Sequence, residues 1–428
     1  MNKLLKKSCL ALVFTAFSAT SALAQSVAIN SGKVVTNTDA GIVENAGILI
    51  ENGRISQITA DQTFSADTVI TTSGIWITPG VFAAVSNLGL VEVGAVKSSN
   101  NTRADKIDAS VSIRAADSFN PNSSLVPISR GGGVIAAAVI PGSSSDLFGG
   151  IGSIVSTDGS YDSILEDEAF IFLNYSGSSE KTGETKGAAM AFLRSAVSDA
   201  RNFSTRFKGP DDGDSLRRAD ARALRPAVQG RIPLIVAADR AVDLVNLAKI
   251  KGENPAMRMH IIGAAEGWMV ADQLAAANIG VMVDPMENLP SDFDTLGSRV
   301  DNVQKLKDAG VQTAIMARSK TGAYAHNLKI LTQHAGNAVA NGLAWEDAFK
   351  SITSIPAEMY GFGELGELAV GQTANLVVWD GDPLEAMSAP IAVIIDGKMQ
   401  SMQSRQTELR DRYNPTRTDD TPYGYPTP

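Results

Sequence analysis

From residue 75 onward, short apolar runs alternate with segments of helical apolar spacing, and this alternation restricts the fold more than any other feature. The runs lie at 75–77, 134–140, 170–173, 234–238, 259–262, 280–283 and 313–316. Between them, 241–251, 268–277, 296–309 and 345–353 repeat apolar residues at the helical period. Repeated strand–helix units imply a parallel sheet, and about eight of them imply a closed barrel of the α/β class. A helical, charged stretch at 177–229 reads as an insertion between barrel units. Gly131-Gly132-Gly133 precedes the run at 134–140; without a spaced-glycine or Lys-Ser/Thr pattern it is a turn rather than a phosphate loop.

Both flanks of this region read as β-structure. Val34-Val35, Ile48-Leu49-Ile50 and residues 55–58 are apolar pieces separated by turn signals, with Asn52-Gly53 set for a tight hairpin. A similar set recurs at 375–379 and 393–395, each followed by Asp-Gly. The expected organisation is a small β-domain of residues 25–78 plus 365–403 around a barrel of 79–364. Residues 414–428, rich in Pro, Thr, Asp and Tyr, form a loose tail.

The start of the chain sets the compartment. Lys3, Lys6 and Lys7 precede an apolar run from about Cys9 to Phe17, and Ala22-Leu23-Ala24 is a small-residue cleavage site. Residues 1–24 therefore read as a secretory signal, too short in its apolar core to span a bilayer. The expected location is secreted, in the periplasm. Cleavage removes Cys9, the one cysteine, so disulfides, thiolate nucleophiles and Cys-ligated metals are excluded. It also removes three lysines and no acids, moving the formal charge from −9 to −12, which argues against nucleic acid and anionic membranes as partners.

Two motifs carry a resemblance. The first is the strand Trp76-Ile77 running into Thr78-Pro79-Gly80, with Val85 and Asn87 beyond it. The second is Gly366-x-Leu368-x-x-Gly371-x-x-Ala374-x-Leu376-Val377-Val378, with Asn341-Gly342-Leu343, Trp345-Glu346 and Pro356-Ala357-Glu358 before it. With these the chain resembles the imidazolonepropionase-like branch of the amidohydrolase superfamily. The resemblance implies a (β/α)8 TIM-type barrel, a β-sandwich built from both chain ends, and a homodimer. It also implies hydrolysis of amide-type bonds by one or two divalent metals at the C-terminal face of the barrel.

The positions that would hold those metals carry other residues. The His-x-His pair falls on Val85 and Asn87, two further histidines on Ala237 and Gly263, and the final Asp on Arg318. Only Asn87 has a donor, a weak one, and Arg318 places a fixed cation where the family places a metal. The whole chain has three histidines, His260, His326 and His334, and none forms a His-x-His pair. No cofactor is expected.

What remains near the strand ends is Asp239, Arg240, Glu266, Asp284 and His326. Asp239, Glu266 and His326 are weak catalytic candidates for metal-free acid–base work, against the plainer reading of loop ion pairs. His326 and His334, eight residues apart, read more simply as surface or capping histidines, and His260 as a packed or solvent-facing strand residue. Asn87, Arg240 and Arg318 are binding candidates, the arginines suiting a carboxylate. The leading expectation is a pseudoenzyme with a binding or structural role, alone or paired with an active relative. The alternatives are a hydrolase acting on C–N bonds through an atypical or metal-free site, and a periplasmic small-ligand binder.

Overall fold

The computed structural model describes residues 26–104, 107–144, 146–175, 185–209, 213–317, 326 and 328–414. The expected signal at 1–24, Arg318 and the tail beyond residue 414 lie outside the described residues. Strands β1 (Val27–Val35), β2 (Ile42–Glu51), β3 (Arg54–Ala60), β4 (Thr68–Thr71) and β5 (Trp76–Pro79) come first. Near the other end lie β16 (Leu376–Trp379), β17 (Pro390–Ile395) and β18 (Lys398–Met399). These eight make one sheet, ordered β18-β17-β16-β5-β1-β2-β3, with β4 beside β1. Asn52 (φ 53°) and Gly53 (φ 76°) turn β2 into β3, as the Asn-Gly pair requires.

The strands of both ends thus share a single curled sheet, where two face-to-face sheets were expected. The reason lies in β1. Its first half pairs with β4 and its second with β5, on either side of a bulge at Ser31 (φ 61°) and Gly32. A bulge bends its strand and sharpens the twist, so one strand serves both arms of the curl. Ile29, Ile48, Ile77, Leu376 and Ile394 fill the space it wraps around, all fully buried.

The second sheet also has eight strands, in the order β15-β14-β13-β12-β11-β10-β8-β6. They are β6 (Val81–Ser86), β8 (Val134–Val139), β10 (Phe148–Ser156), β11 (Ile164–Asn174), β12 (Leu234–Ala238), β13 (Met259–Gly263), β14 (Gly280–Val283) and β15 (Thr313–Ile315). A two-residue pair, β7 (Arg103–Ala104) with β9 (Ser143–Ser144), stands apart. All neighbours run parallel except at β10, which is antiparallel to both β8 and β11. The regular (β/α)8 pattern therefore fails around β10, where two successive antiparallel connections replace helix crossovers. The sheet almost closes. Between β15 and β6 the backbone of Ser351 and Ile352 bridges the gap, accepting from Ile315 N–H (2.8 Å) and Phe82 N–H (2.9 Å).

Helices fill the connections: α1 (Leu125–Gly131), α2 (Lys186–Arg201), α3 (Phe203–Arg206), α4 (Arg218–Val228), α5 (Ala241–Glu253), α6 (Ala271–Ala276), α7 (Asn302–Asp308), α8 (Leu331–Ala340), α9 (Trp345–Lys350), α10 (Ser354–Tyr360) and α11 (Arg405–Tyr413). The insertion expected at 177–229 is helical where described, as α2 to α4. The helix expected at 296–309 shortens to α7, and a separate 3-10 turn capped by Asp292 precedes it at Phe293–Thr295. At the end of α10, Tyr360 reaches strands on opposite sides of the sheet. Its ring lies against Phe82 and Phe170, and its hydroxyl donates to the Ala84 carbonyl at 2.7 Å. Tyr360 therefore plugs the barrel core. The two sheets are joined through Trp379, whose indole N–H donates to Thr78 Oγ1 (2.9 Å) and whose ring covers Gly133. A Cβ on Gly133 would lie 2.6 Å from that ring, which accounts for the end of the glycine run. Among the described residues no helix is long and apolar enough to cross a membrane.

Candidate ligand site at the barrel mouth

The C-terminal ends of the parallel strands gather the positions singled out in the sequence. At the end of β6, Val85 is fully buried and its neighbour Ser86 donates to the Ala138 carbonyl at 3.1 Å. The Asn87 amide nitrogen donates to the Ile140 carbonyl at 3.0 Å, so this side chain ties the ends of β6 and β8 together. On β12, Ala237 is buried and its carbonyl accepts from the Tyr175 N–H at 3.0 Å. Burial pushes the Tyr175 phenol up to about 12, with the Asp243 charge adding to the effect. Its hydroxyl donates to the Lys186 carbonyl at 2.9 Å.

Gly263 closes β13 at φ 100°, in the region open to glycine. A Cβ there would fall 2.3 Å from the Asp239 carboxylate oxygen Oδ1. Asp239 thus fills the space a longer side chain at 263 would enter, and its Oδ1 accepts from Ala265 N–H at 3.3 Å. Glu266 is occupied on both oxygens. Oε2 accepts from Ala241 N–H (2.9 Å) at the first turn of α5, and Oε1 from Gly297 N–H (3.1 Å). This is a loop clamp, a use the acid–base reading did not foresee. Glu266→Ala is expected to cost about 1–2 kcal/mol, since two backbone donors lose a charged acceptor in a half-buried place. Chemical denaturation of the variant measures it.

Arg240 pairs with Asp243 (3.2 Å) and Asp294 (3.7 Å), and Lys186 joins the same acids at 3.7 and 3.0 Å. Burial holds the Asp243 carboxyl above the usual range, partly countered by Lys186 and Arg240. His326 is half-buried, and the structure does not bring it together with Asp239 or Glu266 by any hydrogen bond among the described residues.

One pairing was not legible in the sequence. Asp284, directly after β14, accepts on Oδ1 from Met286 N–H (2.9 Å) and meets His334 Nδ1 at 2.8 Å. Both side chains are buried, so His334 is neither a surface nor a capping histidine. The hint was the place of Asp284 just beyond a strand, but a contact across 50 positions leaves no local pattern. Among the described residues no group of three or more His, Cys, Asp or Glu side chains is arranged to hold a metal ion.

Comparison with known proteins matches these features to one family. Residues 255–401 fit the family model described as the amidohydrolase family. The chain aligns over 87% of its length with 99% of an amidohydrolase from Thermotoga maritima MSB8, at a TM-score of 0.75 and 22% identity. Over residues 255–401 the chain is similar to the amidohydrolase family, and it shares the fold of these proteins. A segment of 75 residues is 39% identical to the amidohydrolase tasK of Hapsidospora irregularis, covering 17% of this amidohydrolase-fold chain and 8% of that relative's length. A triazine hydrolase from Arthrobacter aurescens shares the fold over 90% of this chain and 97% of its own, with a TM-score of 0.54 and 14% identity. At such identities the solved structures speak for the fold alone.

Proposed function

We propose that this amidohydrolase-superfamily protein is an exported pseudoenzyme: it keeps the barrel and its mouth for binding, and does not perform metal-assisted hydrolysis. The observation that carries this reading is the pairing of Gly263 with Asp239. A position where the resemblance implies a histidine holds no side chain, and the neighbouring carboxylate stands in the space such a side chain would need. The other described positions agree. Val85 and Ala237 have no donor atom, and the Asn87 amide is engaged with Ile140. These residues do not fit a divalent ion, which needs three or four converging imidazole or carboxylate donors. The mature protein would act in the periplasm, on a small-molecule ligand or as a homodimer or partner of an active relative.

A second reading has one observation in its favour. The Asp284–His334 pair at a strand end is the arrangement in which a carboxylate orients an imidazole for proton transfer. It would support hydrolysis of C–N bonds without metal.

Both readings are tested by assaying the purified mature protein on a panel of amides, N-acyl amino acids and dipeptides. The panel is run with added zinc or manganese, with chelator, and with His334→Gln. The pseudoenzyme reading expects no turnover above buffer under any condition. Turnover that resists chelator and is lost in His334→Gln would replace it with the second reading. Metal-dependent turnover would contradict both.

A further inference from the structure

A cavity of about 250 Å³ lies at the opposite, N-terminal end of the barrel, away from the mouth. His260 and Gln312 stand there at the starts of β13 and β15, with Lys251 from α5, Arg258 from the loop before β13 and Glu358 from α10. The His260 ring is wedged in place. A Cβ on Gly280 would come within 2.7 Å of its Nδ1 and 2.9 Å of the Met359 methyl. Both ring nitrogens are buried and neither has a hydrogen-bond partner. Buried polar atoms nearly always have one, so this imidazole marks the cavity as a place where polar chemistry is incomplete.

The charges around it are unbalanced in one direction. Arg258 donates from Nη2 to the Met359 carbonyl (2.9 Å), and Lys251 from Nζ to the Pro255 carbonyl (3.1 Å). Both cations are thus directed by backbone oxygens, not by carboxylates. The acid in the wall, Glu358, accepts from the Gln312 amide at 3.2 Å. A guanidinium has five donors in a planar fork that matches a carboxylate, and the rest of the wall is largely polar, with Asn278, Gln312 and Glu358 in it and Met257 and Met359 buried behind it.

We propose that this cavity is a binding site for a small organic carboxylate, its anionic group on Arg258 and Lys251, the polar remainder of it beside Asn278 and Gln312, and the His260 ring as its floor. The site is independent of the barrel mouth and of whether the protein hydrolyses anything. A bound anion offsets the Arg258 charge that, after burial, holds the His260 imidazole in its neutral form.

The chain has three histidines, which gives a direct readout. The mature protein labelled in its histidine rings is titrated with butyrate, succinate and inorganic phosphate at constant ionic strength. The ring resonances are assigned with His260→Leu. Butyrate and succinate are expected to shift the His260 signal saturably while His326 and His334 stay in place. Arg258→Gln is expected to weaken the apparent affinity on the order of tenfold or more, since it removes a charged donor. Lys251→Gln should weaken it less. No saturable shift, a shift unchanged in Arg258→Gln, or phosphate binding as tightly as the carboxylates would overturn the assignment. Unmoved His326 and His334 signals in the variants show that they are folded.

Discussion

Between pH 6.5 and about 4 the protein is expected to lose about 3 kcal/mol of folding stability through one side chain, His260. Burial, and then the nearby Arg258 charge, lower its imidazole from 6.5 to about 4, against the opposing hydrogen-bonding effect of the Met359 backbone. In an unfolded chain the same ring takes up its proton just below 6.5. Across that window the unfolded state binds more protons than the folded one, so stability falls as pH falls. Below about 4 both states are protonated and the loss is complete. His260→Leu removes the difference. Apart from the approach of the Met359 backbone, neither ring nitrogen reaches a partner at normal hydrogen-bond geometry, so the leucine variant should be about as stable as the parent at pH 7. Urea denaturation of both proteins at pH 7, 5.5 and 4.5, in amine buffers free of carboxylates, measures the gap. It should shift in favour of the leucine variant as the pH drops. Parallel curves would show that the ring is not held neutral by its surroundings.

The second large effect is expected at Gly263. An alanine there meets two costs, a backbone held at φ 100° and a Cβ placed 2.3 Å from Asp239 Oδ1. The first is worth about 1–2 kcal/mol for a residue other than glycine, and displacing a buried carboxylate from its Ala265 N–H bond adds about 1–3. Gly263→Ala should therefore lose about 3 kcal/mol or more. Asp239→Ala in the same chain removes the obstacle but not the backbone strain. The double variant should consequently be more stable than the sum of the single losses implies, by about 1–3 kcal/mol. A denaturation cycle over the four proteins reads this coupling. Strict additivity would mean that Asp239 does not occupy the space beside Gly263, and the main support for a refilled site would fall.

The parts of the fold that could be read from the sequence are those whose pattern is local. The runs at 234–238 and 280–283 coincide with β12 and β14, because parallel strands buried on both faces are continuous apolar stretches. Strand β10 escaped because Phe148-Gly149-Gly150-Ile151-Gly152-Ser153 mixes glycine and serine into its run. Its glycines are there for packing: a Cβ at Gly152 would fall 2.0 Å from the Phe170 ring. The single curled sheet escaped for a similar reason, since the bulge at Ser31 and Gly32 is a feature of pairing and not of composition. At the mouth, the placing of Ala237 and Gly263 at strand ends could be read from the apolar runs they belong to, but the contacts made there could not. Glu266 as a clamp, Asp239 beside Gly263, and His334 on Asp284 are contacts between distant segments, settled only by the fold.

The proposal that this barrel binds no catalytic metal is decided by the metal content of the purified protein. The protein is expressed with zinc, manganese and iron supplied, purified without chelator, and measured by elemental mass spectrometry across its gel-filtration peak. A metal content well below one ion per chain, in a protein that melts cooperatively, is the expected result. One equivalent of a divalent metal travelling with the protein would contradict it, and would require ligands beyond Val85, Asn87, Ala237 and Gly263.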